Sequence, residues 1–100
     1  MKNKIYSIDE IQALVIPIAK QFGVERVYLF GSYAKGIATS DSDVDLRIDN
    51  GKITSFFQLG GFYNAIQDAL QKEIDVVTTA GLQADFLSSI ASEEVLLYVA

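Results

Sequence analysis

Apolar positions change period along the chain, and each change marks an element. Ile11, Leu14, Val15, Ile18 and Phe22 recur at helical spacing behind Ser7-Ile-Asp-Glu10. That tetrad is a capping box, with serine at the cap and glutamate three residues on. Gly23 ends the helix, and Pro17 is expected to kink or split it. Arg26–Phe30 is β-branched and aromatic, the make-up of a buried strand, and Gly31 breaks it. A short helix is expected from Ser32 to about Lys35, then a polar loop from Thr39 to Ser42. Asp43 to Ile48 alternates strictly, with Asp43, Asp45 and Arg47 on one side and Val44, Leu46 and Ile48 on the other. This is a half-buried strand whose polar face carries both aspartates.

Asp49-Asn-Gly-Lys52 reads as a turn. Thr54 to Lys72 reads as a second long helix, with Phe62, Ala65, Ile66, Ala69 and Leu70 on its inner face. Gly60-Gly61 is expected to give it an irregular start or a break. Glu73–Thr78 is a third strand, Ala84–Ala91 a last helix, and Val95–Val99 an edge strand in preference to more helix. The order predicts an α/β (α+β) fold: a small mixed sheet of three to four strands with helices packed on one face. One domain is expected over 1–100.

Composition narrows the chemistry. Half of the 100 residues are apolar, so a core is available without disulfides. The chain has no cysteine and no histidine, which removes thiol chemistry, the usual zinc sites and the commonest general base. Any metal must be held by oxygen, which favours magnesium, manganese or calcium. The formal net charge is -5, so direct nucleic-acid binding is not expected. Met1 to Tyr6 leads into a capped helix, not an apolar signal core, and no apolar run approaches the roughly eighteen residues of a membrane span. The expected setting is cytoplasmic.

Gly31-Ser32 is followed, after ten residues, by Asp43-Val44-Asp45. Gly31 lets backbone approach a phosphate closely, Ser32 can add a hydroxyl donor, Lys35 adds positive charge one turn on, and Gly36 lets the chain leave the turn. Asp43 and Asp45, two apart on a strand, can reach toward a common pair of cations about 3.5–4 Å apart. Asp75, flanked by Ile74 and Val76, needs a reason to sit in a buried strand. If the third strand pairs with the second, Asp75 can complete a three-carboxylate site. Asp41–Asp45 also resembles the front of an EF-hand loop, but Leu46 and Lys52 stand where that loop wants glycine and glutamate. The spacing is not that of a P-loop.

At these residues the chain resembles the nucleotidyltransferase superfamily related to DNA polymerase β, and more narrowly the MNT-type minimal nucleotidyltransferases. The matching runs are Gly31-Ser-Tyr-Ala-Lys-Gly36, Ser42-Asp-Val-Asp-Leu46 and Ile74-Asp-Val-Val77, and the likeness extends from the first helix to Tyr98. One departure is Lys35 where arginine is common; it keeps the charge and loses the bidentate fork. The resemblance implies transfer of a nucleoside monophosphate from ATP, with a palm-like core. Asp43 and Asp45 would hold two Mg²⁺ ions, Asp75 would ligate the metal that activates the acceptor hydroxyl and help take up its proton, and Gly31, Ser32 and Lys35 would hold the β- and γ-phosphates. One hundred residues leave no room for an acceptor domain, and the resemblance further implies that a separate HEPN ribonuclease toxin supplies the acceptor, a tyrosine that this antitoxin AMPylates.

Two other readings stay open at this point. One is an antitoxin that inhibits by binding alone; the other is a small-molecule transferase subunit like those that modify aminoglycosides. Tyr28, Tyr33, Tyr63 and Tyr98 are exposed candidates that do not separate these readings, and Asp9-Glu10 and Glu93-Glu94 read as solvated helix-end charges.

Overall fold

The computed structural model describes residues 4–100. Met1–Asn3, the start of the segment read as lacking an apolar signal core, lie outside the described residues. Ser7 caps α1 (Ile8–Phe22) with its hydroxyl on the Glu10 amide, while Glu10 accepts from the Ser7 amide. The helix runs unbroken through Pro17, against expectation. Pro17 cannot donate to the Ala13 carbonyl, but both residues are exposed, so water can take up the freed group.

The strands are β1 (Arg26–Phe30), β2 (Val44–Asp49), β3 (Ile74–Thr78) and β4 (Val95–Val99), in the order β3-β2-β1-β4. β1 is antiparallel to β2 and to β4, while β2 and β3 are parallel. The sheet is therefore mixed, with four strands, and the last segment is the expected edge strand. Because β2 is a strand from Val44 onward, residues 41–52 cannot wrap an EF-hand ion.

The parallel link between β2 and β3 requires a crossover, supplied by α3 (Phe56–Leu70). It is capped by Ser55 and runs through Gly60-Gly61 without a break. The reason is packing: a Cβ at Gly61 would stand 3.0 Å from Phe22 Cε1. Glycine here lets α1 and α3 approach, and Phe22 meets Phe62 edge-on with centroids 5.9 Å apart.

Ile11, Val15 and Ala19 of α1 and Phe62, Ile66 and Leu70 of α3 pack on Val27, Leu29, Val44, Leu46, Ile48 and Leu97 of the sheet. Each large side chain so buried contributes about 1.5–3 kcal/mol. The remaining helices are α2 (Gly31–Lys35) and α4 (Ala84–Ala91). α4 stands apart from the α1/α3 layer. Its Ile90 is buried outside the main core, and Phe86 meets Phe30 edge-on at 6.1 Å. It thus borders the sheet face opposite α1 and α3. Among the described residues no helix is long and apolar enough to cross a membrane.

Candidate active site

Strand periodicity and register build this second sheet face row by row. Cross-strand partners point the same way, so Phe30, Asp45 and Asp75 form one row. Tyr28, Arg47 and Val77 form the next, and Arg26 and Asp49 a third. Asp43 immediately precedes β2, two residues before Asp45. It lies one residue outside the strand expected to carry it, and it is exposed.

Gly31 joins the first row to α2. Its φ is +74°, and a Cβ there would overlap the Asp45 carboxylate, with Oδ2 the nearest atom. Only glycine satisfies both conditions. The Gly-Ser turn and the strand aspartate are thus in van der Waals contact, which spacing alone does not reveal. α2 begins at Gly31 without a side-chain cap, since Phe30 occupies the cap position. Ser32 is half-buried, and its hydroxyl is unpaired among the described residues.

The carboxyl of Asp45 is pushed up to about 6, first by burial and then by the charges of Asp75 and Asp43. None of the three carboxylates has a hydrogen-bond or ion-pair partner among the described residues. Nor, among those residues, do three acidic groups converge into a closed metal cage. Magnesium suits such a half-built site, because it usually takes one or two carboxylates and completes its shell with water and substrate phosphates. The donors are all oxygen, and a divalent cation would remove the repulsion that lifts Asp45.

Lys35 closes α2, but its Nζ lies 3.3 Å from Glu93 Oε2. It therefore faces a carboxylate where a phosphate contact was expected. Arg47 departs further from expectation. It alternates with the aspartates like a solvated residue, yet it is only 6% exposed. Its Nε and Nη2 donate to the two oxygens of Glu94 at 3.0 and 2.6 Å, and Nη1 donates to Thr79 Oγ1 at 2.6 Å. The guanidinium also lies 4.0 Å from the Tyr28 ring centroid. Thr79 in turn donates to Asp49 Oδ1 at 2.5 Å, and Arg26 meets Asp49 Oδ2 at 3.2 Å.

Glu94 is thus covered and engaged, not a solvated helix-end charge, while Glu93 stays exposed at the helix end and pairs with Lys35. What sequence could have flagged is a charged residue opposite an aromatic on one strand face. The glutamates that cover it come from a distant turn and leave no local pattern. The tyrosines read as exposed are not: Tyr33 is buried in the core, Tyr28 lies under Arg47, and Tyr63 donates to the Ile74 carbonyl. Tyr98 is half-buried against the core. A groove of about 280 Å³ lined by Asn50, Ile53, Phe56 and Thr78 lies beyond the far end of β2. Asn50 stands five residues, or roughly 17 Å, along the chain from Asp45, and none of the three carboxylates lines the groove.

Comparison with known proteins bears on the same segment. A family model described as "Polymerase beta, Nucleotidyltransferase" matches residues 13–100. A provisionally named protein adenylyltransferase of Methanocaldococcus jannaschii is 36% identical over 72% of this chain and 77% of its own length. The protein adenylyltransferase MntA of Thermococcus cleftensis is 28% identical over 89% of this chain and 94% of its own length. The fold is shared with the solved complex of a tri-AMPylated Shewanella oneidensis HEPN toxin with its MNT antitoxin. There the TM-score is 0.71 at 15% identity, over 93% of this chain and 73% of the matched one.

Proposed function

The chain belongs to the polymerase β-type nucleotidyltransferase family, and from that premise we propose that it is an antitoxin that transfers AMP from ATP to a hydroxyl of a partner protein. The acceptor is a tyrosine of a cognate HEPN toxin, and the reaction runs in the cytoplasm. A single minimal domain over residues 1–100 supplies the donor side of the reaction. The observation that carries the reading is the contact between Gly31 and Asp45, with Asp75 beside it in register. It sets a turn able to approach phosphate against carboxylates without counter-charges. The adenylyltransferase names of the relatives and the AMPylated HEPN toxin of the matched complex favour the same transfer.

In this reading the acceptor oxygen attacks the α-phosphorus, the bond to the bridging oxygen breaks, and pyrophosphate leaves. Asp43 and Asp45 would hold Mg²⁺, two ions in all, with Asp75 sharing the ion nearer the acceptor. Bound Mg²⁺ supplies charge neutralisation at the attacking and leaving oxygens and makes the hydroxyl more acidic. Asp75, exposed at the edge of the row, takes up the acceptor's proton. Gly31 gives the β- and γ-phosphates room against the backbone, Ser32 donates its unpaired hydroxyl, and Lys35 adds positive charge.

The test is direct. The protein is mixed with ATP, Mg²⁺ and the product of its neighbouring gene, and both proteins are weighed. An AMP-sized increment on the partner is expected, lost in Asp43→Ala and Asp45→Ala. A tight complex without any increment, unchanged by those substitutions, would replace transfer by inhibition through binding alone.

A further inference from the structure

Two adjacent glutamates hold the two halves of the site from one turn. Glu94, its side chain 10% exposed, grips Arg47 bidentately two residues along β2 from Asp45. That anchor fixes the turn between α4 and β4 against the carboxylate-bearing strand. Glu93, the next residue back, reaches the other half and meets Lys35 at the end of α2. Among the described residues this is the ion pair that ties α2 to the rest of the molecule. Phe86 on Phe30 pins α4 beside the residue before Gly31.

We propose that Glu93 is a positioning residue that competes with phosphate for Lys35. It holds the ammonium while no nucleotide is bound and takes it back when pyrophosphate leaves. The inference rests on the proposed function in one respect, that Lys35 serves the β- and γ-phosphates. Both side chains are nearly half exposed, at 45% and 44%, and an ion pair of that kind is weak. A triphosphate, with several negative charges, takes the lysine from a single carboxylate. The turn that carries Glu93 stays in place once the pair opens, because Glu94 and Arg47 hold it. The competition of Glu93 for Lys35 weakens the triphosphate and the leaving pyrophosphate alike. Such uniform weakening raises KM for ATP and speeds product departure without touching the bond-making step.

Calorimetry with Mg²⁺-pyrophosphate, and separately with ATP in Mg²⁺, on wild type, Glu93→Gln, Lys35→Gln and the double variant tests this. Glu93→Gln should tighten pyrophosphate about two- to fivefold, the range of an exposed pair. In the Lys35→Gln background it should change nothing. Unchanged or weaker binding in Glu93→Gln overturns the inference, as does equal tightening with Lys35 absent, which would mark a general charge effect. If wild type binds but Glu93→Gln matches it, only this inference falls. If wild type binds neither ligand, the proposed function falls with it.

Discussion

On the sheet face away from α1 and α3, Asp49 and Glu94 are ringed by partners, whereas Asp45, two rows of side chains from Asp49, has none. Both groups of carboxylates sit on or beside β2, but Asp49 and Glu94 are largely covered, whereas Asp45 is half-buried and Asp43 and Asp75 are exposed. At the Arg47 end each negative charge meets a guanidinium or a hydroxyl. At the Asp45 end three negative charges meet only one another, and burial first, then the charges of Asp75 and Asp43, lift Asp45 to about 6. In the proposed function these bare carboxylates are held for a ligand that arrives from outside. On that proposal one end of β2 serves stability and the other a ligand.

The contrast can be broken at either end. Asp45→Ala should abolish transfer, by at least about a thousandfold, by removing charge stabilisation at the reacting phosphate. Its melting temperature should not fall. An inactive variant that also unfolds would place Asp45 with the structural carboxylates instead.

Arg47→Met should do the reverse of this at the level of stability. It leaves Glu94 buried and unpaired, a loss of about 3 kcal/mol, or roughly 15 °C in melting temperature. A shift of only a degree or two would show that the paired end is not structural.

Gly31→Ala joins the two effects. A left-handed alanine costs about 1–2 kcal/mol, and its methyl must displace the Asp45 carboxylate, so transfer should fall with stability. A folded, active Gly31→Ala would deny the contact between turn and strand.

The smallest effect concerns charge alone. A carboxyl raised from 3.8 to about 6 binds its proton more tightly in the folded state. Its stabilising effect is full below pH 3.8 and lost as pH rises through 6. At pH 7 Asp45→Asn should therefore be more stable than wild type, by about 1 kcal/mol once solvent screening is allowed for. The gain should vanish by pH 4. A destabilised Asp45→Asn at pH 7 would mean that Asp45 has a partner after all.

Much of this contrast was legible in the chain, and the part that was not has a common cause. The capping box at Ser7, the strands around Tyr28 and Val76, and Ala84–Ala91 follow from local periodicity, and all stand where expected. Asp75 falls beside Asp45 because the parallel pairing is in register. Pro17 and Gly60-Gly61 misled because helix breakers act through local hydrogen bonds and entropy, while an exposed face and the Phe22 ring decide the outcome. Arg47 misled for the converse reason: alternation tells which face a residue points to, not what covers that face. The cover, Glu94 and Thr79, lies 47 and 32 residues further on. Lys35 was placed correctly in its turn, but its pairing with Glu93 depends on the same distant cover.

The most direct test of the central claim is the melting temperature of wild type and Asp43→Asn/Asp45→Asn at pH 7, each with and without Mg²⁺ and ATP. An unpartnered carboxylate site that receives a metal-bound triphosphate should make wild type markedly more stable when both are present, since a ligand that binds only the folded state stabilises it. The double variant, more stable than wild type when bare, should gain nothing. If wild type shows no rise, or the double variant rises equally, the bare carboxylates beside Gly31 are not the ligand site.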